Sequence, residues 1–91
     1  MQAKITHESD VREFILRTVI EDMNTPLGAE INDESPVGAG GMDLDSLSLI
    51  ELMLRLEQRF GSEIPDGDIE PLGAMSLGEL VADIARRGTK A

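Results

Sequence analysis

The chain reads as all-α: a small antiparallel four-helix bundle, with three main helices and one short one. Three observations predict it. Apolar residues recur at helical spacing in three separate segments, and no stretch alternates with the period of two that a half-buried strand would show. Start and stop residues of the helical kind bracket those segments. With 91 residues, the chain is expected to form a single domain over positions 1–91. A domain of this size buries roughly two-thirds of the surface its unfolded chain exposes, so its core is small.

The first helix is expected over residues 8–22, where Val11, Phe14, Ile15 and Val19 keep helical spacing and Leu16 and Ile20 widen the apolar arc. Asn24, Thr25, Pro26 and Gly28 end it. Residues 24–42 then read as a long irregular stretch, with two prolines and, near its end, Gly38, Gly40 and Gly41. Loops of this length inside a compact domain are uncommon and usually functional or mobile. Its glycines predict a turn that delivers the chain into the second helix, over residues 46–60, with Asp45 as N-cap and Gly61 as C-terminal stop. Pro65 and the acidic run at 66–70 follow, with a short helical turn near Ile69. The last helix opens at Ser76, where Ser-Leu-Gly-Glu fits a capping box closed by Glu79. It buries Leu77, Leu80, Val81 and Ile84 and ends at Arg86 and Arg87, whose charge suits the negative end of a helix. Met53, and with it Met23 and Met75, read as core filling.

Composition excludes several classes. Eighteen acidic against eight basic side chains give a net charge of −10, which phosphate backbones would repel, so nucleic acid is not an expected partner. Proteins with basic patches are. There is no cysteine, hence no disulfide framework and no thiol of the chain's own. The N-terminal residues carry no apolar run after Lys4, and no stretch approaches the roughly 18 apolar residues of a membrane span. A cytoplasmic protein is expected, monomeric and without a metal site or a role at a membrane.

The second helix has an apolar stripe beyond what a core face needs. At 100° per residue, Leu49, Leu52, Met53, Leu56 and Phe60 fall within about 100° of one another, enough to face a bundle. Leu47, Ile50 and Leu54 form a second stripe about 120° away, with Ser46 beside it at the helix start and Glu51 and Arg55 beyond it. Either both stripes are buried between neighbours on two sides, or the second is exposed and meets partners. Apolar residues ringed by charge are a usual protein-contact signature. Ser46 stands where the first turn leaves N–H groups unpaired and the helix dipole is positive, which would favour a phosphodiester there. Most serines at helix starts are simply caps.

The segment Asp45-Ser46-Leu47, then Ile50-Glu51-Leu52, Leu56-Glu57, Phe60 and Glu63-Ile64-Pro65-Asp66, closely resembles the acyl carrier proteins. The match is dense over residues 42–66, and the flanking helices agree with that family's four-helix bundle. The resemblance implies a defined chemistry: a phosphopantetheinyl transferase would place 4′-phosphopantetheine from coenzyme A on the Ser46 hydroxyl, in a magnesium-assisted attack on a pyrophosphate. It implies that Asp45 faces the magnesium or the transferase and that Leu47 flanks the cofactor. It also implies that Leu47, Ile50 and Leu54, with the acidic Glu51 and Glu57, meet acyl- or aminoacyl-loading enzymes and the synthase or transferase enzymes downstream. The chain would then be a carrier and not an enzyme.

Three departures stand out. Asp43 occupies the place, two residues before Asp45, where the family often has glycine; Arg55 and Arg59 stand on a helix that fatty-acid carriers keep acidic or neutral; and the segment after Pro65 is about two residues longer. These point to a freestanding carrier of a polyketide or nonribosomal-peptide pathway, with Arg55 among the partner-facing residues. A fatty-acid synthase carrier is the alternative, and a passive helical adaptor the alternative of a different class. Calcium loops beginning at Asp43 or Asp66 fail their template, since Ser48 and Pro71 stand where glycine is required. A hydrolytic serine would need a base, and His7, the one histidine, is remote in sequence.

Overall fold

The computed structural model describes residues 7–87. Four α-helices carry the fold: α1 (Glu8–Arg17), α2 (Ser46–Phe60), α3 (Asp66–Gly73) and α4 (Leu77–Arg87). Among the described residues there is no strand, only an isolated bridge between Pro36 and Ser76. No described helix is long and apolar enough to cross a membrane.

The first helix departs from expectation in its last third. From Thr18 to Asp22 the chain widens into a π-helical turn, and the Met23 N–H bonds the Thr18 carbonyl at 2.9 Å, five residues back. Asn24 then takes a left-handed conformation (φ 53°) and ends the element. Ile20 does not widen the core face; it is 44 % exposed. The reason is angular: at 100° per residue it lies about half a turn from Val11, which is fully buried with Ile15 and Val19.

α2 has both of its expected ends. The Asp45 side chain accepts from the Ser48 N–H, and Gly61 at the C-cap adopts φ 72°, a left-handed conformation that favours glycine. Its core face is Leu49, Leu52, Met53, Leu56 and Phe60, all buried, and Phe60 meets Phe14 of α1 edge to face at 5.5 Å. α4 has the complete capping box: Ser76 N–H to Glu79 at 3.0 Å and Glu79 N–H to Ser76 Oγ at 3.2 Å. The four apolar residues assigned to its inner face are buried, and Asp83 is buried beside them against Arg86 and Arg87. Met53 is in the core, while Met23 and Met75 pack on it only in part.

The turn expected near Ile69 is a helix of eight residues, α3, with Pro71 inside it. A proline there removes one intrahelical bond, which is why local rules stop short of a helix. Tertiary contacts supply the difference. Leu72 is buried, and Arg87 of α4 reaches across to Asp68 at 3.1 Å and to the Glu63 carbonyl at 3.0 Å. Asp66 and Asp68 in the first turn suit the positive end of the helix.

The long connection between α1 and α2 is ordered by the rest of the fold. Arg12 of α1 grips Asp33 with two hydrogen bonds, at 2.8 and 2.7 Å. Backbone bonds from Val37 to Met75, from Leu77 to Ser35 and from Gly78 to Asp33 tie it to the junction of α3 and α4. Val37, Met42 and Leu44 are buried, so this loop donates three side chains to the core. It therefore hands the chain to α2 from a fixed position.

Candidate functional site

The start of α2 is built by a tight turn. Met42, Asp43 and Leu44 donate their N–H groups back to the carbonyls of Pro36, Gly38 and Val37, at 2.9, 2.8 and 3.2 Å. Asp43 sits at φ 58°, in the left-handed region, and its carboxylate accepts the Gly40 N–H at 2.9 Å. Aspartate tolerates that conformation better than most residues because its short polar side chain bonds locally. The glycine expected two residues before Asp45 is thus replaced by one of the few residue types that can take its backbone geometry.

Asp45 follows as the N-cap. Its Oδ1 accepts the Ser48 N–H at 2.8 Å, and this bond to Ser48 holds its carboxyl below the usual carboxylate range. Ser46 comes next, exposed, as the first helical residue. Ser46 is one of the residues lining an open groove of about 730 Å³ between α2 and α3. The floor is apolar, with Leu49 and Ile50 on one side and Ile69 and Ala74 on the other, while Asp66 and Glu70 stand on the α3 side. Gly73 lets α3 approach closely, since a Cβ there would lie 2.2 Å from Leu49 Cδ2. None of these α3 residues was singled out from sequence as lining a site; only tertiary packing brings them to Ser46.

The second stripe of α2 faces outward. Leu47 is 77 % exposed, Ile50 42 % and Leu54 52 %, and with Ile20 they are the exposed large apolar side chains of the described chain. A buried double stripe is therefore overturned. Of the charged residues expected along that stripe, Glu51 is exposed beside it and is engaged by Arg55, which bonds Glu51 at 2.9 Å and Asp22 of the π-turn at 3.3 Å. Glu57 is turned inward along the chain, where its carboxylate accepts the Ile64 N–H at 2.8 Å and ties the end of α2 to the following loop. Arg59 lies over the Phe60 ring at 4.9 Å. No local signal announces the Asp22 or Ile64 contacts, which are made by residues far along the chain or across a helix end.

Comparison with known proteins decides the family. Residues 14–84 match the model of the phosphopantetheine attachment site. The chain is 40 % identical over 63 residues to an acyl carrier protein of Rubrobacter xylanophilus, covering 67 % of this chain and 78 % of that one. This chain belongs to the acyl carrier proteins. It is also 33 % identical over 76 residues to an acyl carrier protein of Acidothermus cellulolyticus, across 81 % of this chain and 88 % of the relative. A meromycolate extension acyl carrier protein of Mycobacterium bovis shares 30 % over 77 residues, across 82 % of this chain and 65 % of the relative.

The cofactor of an acyl carrier protein is a covalently attached 4′-phosphopantetheine, and this chain takes one. The local structure fits such a group. An exposed serine in the first turn of a fifteen-residue helix would place a phosphate at the positive end of the helix dipole. The groove beside it is open and has an apolar floor along which an arm or its cargo can lie.

Proposed function

We propose that this acyl carrier protein holds acyl or aminoacyl intermediates on Ser46, in polyketide or nonribosomal-peptide biosynthesis, and supplies no catalytic group itself. The observation that carries the attachment point is the exposure of Ser46, directly after the Asp45 cap and among the residues lining the α2–α3 groove. On this reading Ser46 Oγ forms a phosphodiester as the pyrophosphate of coenzyme A breaks, its adenosine bisphosphate half leaves, and the hydroxyl proton passes to a base of the transferase. Asp45 fixes the helix start so that the hydroxyl is presented rather than folded back as a cap. The arm, once attached, supplies the thiol that the cysteine-free chain lacks. Its length lets one cargo meet several active sites at high effective concentration.

Leu47, Ile50 and Leu54 are the surface that partner enzymes would contact, with Glu51 at the rim. Their exposure, on a helix whose opposite face is core, supports this. The specialised pathway rests on Arg55 and Arg59, which balance the two acids of α2, Glu51 and Glu57, and on Asp43 at the glycine position. A second reading, carriage of a lengthening fatty acyl chain, is favoured by the relatives named for meromycolate extension and by the apolar floor of the groove.

The test has two stages. Coexpression with a phosphopantetheinyl transferase, followed by intact mass measurement, should add one phosphopantetheine to the wild type and none to Ser46→Ala. The pantetheinylated protein is then offered to a fatty-acid malonyl transferase. Loading far slower than that of a genuine fatty-acid carrier supports the specialised pathway, and equal loading supports the second reading.

A further inference from the structure

The charge on the exposed face of α2 is uneven, and Arg55 stands at the centre of that unevenness. Near Ser46 the acidic groups Asp45, Asp66 and Glu70 line the groove, and among the described residues no basic side chain lines it with them. Toward the other end of the stripe, the Arg55 guanidinium lies between Glu51 and Asp22, donating to Glu51 through Nε and Nη2 and to Asp22 through Nη1. All three side chains remain partly exposed, Arg55 at 37 %. Leu47 and Leu54 lie on the same helix four residues before and three after Glu51, so this ion pair borders the apolar stripe directly.

From this arrangement we propose that Arg55 is a specificity-determining residue. As an internal counter-ion it offsets Glu51, so that the Glu51–Arg55–Asp22 group keeps a single net negative charge and the docking face is most negative at the Ser46 end. The face then fits a protein partner of particular chemistry: an apolar pocket for Leu47, Ile50 and Leu54, with basic side chains only where it meets Asp45, Asp66 and Glu70. A partner whose groove is basic along the whole length of α2 gains little from Glu51 and meets the Arg55 cation. The effect is on encounter rate and discrimination, as for other rim charges, rather than on fold stability. The Asp22 contact reaches from the π-turn and adds a second anchor to a guanidinium that already donates twice to Glu51. This inference rests on the reading of Ser46 as the attachment point and of the second stripe as the docking face.

The probe is a phosphopantetheinyl transferase whose carrier groove is basic along α2, with coenzyme A as donor, and the readout is kcat/KM across a salt series. The proteins are the full chain as wild type, Arg55→Gln, Asp22→Asn, the Arg55→Gln/Asp22→Asn double variant and Ser46→Ala, with thermal melts to establish that each is folded. Arg55→Gln is expected to raise kcat/KM about threefold to tenfold at low salt and to steepen its salt dependence. The difference should vanish near 1 M salt, where screening acts within about 3 Å. Asp22→Asn leaves Arg55 on Glu51 and should be no faster than wild type. The double variant has the same net charge as wild type but a bare Glu51, so it should be as fast as Arg55→Gln. Ser46-dependent loading at equal rates and equal salt slopes in wild type and Arg55→Gln would overturn the inference alone, as would a double variant that stays at the wild-type rate. Absence of Ser46-dependent loading in every variant would overturn the carrier reading and this inference with it.

Discussion

Leu52 and Leu54 are two residues apart on one helix and should behave as residues of different kinds. Leu52 is fully buried in the core, and its truncation to alanine removes transfer free energy and leaves a cavity that neighbours on α2 can close only in part. That costs about 2–5 kcal/mol. Leu54 is 52 % exposed, so roughly half of the 1.5–3 kcal/mol for a fully buried leucine is at stake, or about 0.7–1.4 kcal/mol, with no sealed cavity. For Leu47, at 77 % exposure, the same reasoning leaves about 0.3–0.7 kcal/mol. In a domain of this size 1 kcal/mol moves the melting temperature by about 4–8 °C, so the classes separate in a thermal melt. Urea titration with a shared m-value gives the same comparison at constant temperature. If Leu52→Ala does not fold, Ile15→Val, at about 0.5–1.5 kcal/mol, samples the same core more gently. Leu54→Ala and Ile50→Ala should keep most of their stability yet be pantetheinylated or acylated more slowly. Equal destabilisation at Leu52 and Leu54, or full loading rates in Leu54→Ala and Ile50→Ala, would refute the division into a core stripe and a contact stripe.

Further expectations concern the turn before α2 and the clamp on α3. Asp43→Ala keeps a left-handed backbone without the carboxylate that bonds Gly40, and should lose about 1–2 kcal/mol by chemical denaturation, while Asp43→Gly should stay closer to wild type. Asp45 has a folded-state pKa below its unfolded value, so its capping contribution is complete above the unfolded pKa and is lost as pH falls through the folded one. Melts from neutral to acid pH should therefore show Asp45→Asn, which caps without titrating, losing less stability on acidification than wild type. Arg87→Ala removes the bonds to Asp68, Asp83 and the Glu63 carbonyl; it should cost roughly 1.5–3 kcal/mol and raise amide exchange in α3 above that in α1.

How much was legible in the sequence divides along the range of the interactions. The caps of α2 and α4, the core faces of α2 and α4 and the angular separation of the two α2 stripes are all set by residues within about four positions of one another, and periodicity reads such contacts directly. The placing of Ser46 as the first residue of α2, behind the Asp45 cap, is of the same kind. Ile20 belongs to the same local level, and its angle on the helix places it outward. What only the tertiary structure decided involves partners far along the chain. That the stripe of Leu47, Ile50 and Leu54 stays exposed depends on which sides of α2 the other helices occupy. Burial of Val37, Met42 and Leu44 in an irregular loop has no period to betray it and follows from backbone bonds to Met75 and to the loop's own turn. α3 persists through Pro71 because Leu72 is buried and Arg87 holds its first turn, contacts no window around residue 71 contains. The charge of the exposed face of α2 is readable as a count of residues, but its distribution is not: Arg55 meets Asp22 across thirty-three positions, and Coulomb attraction depends on distance in space rather than along the chain.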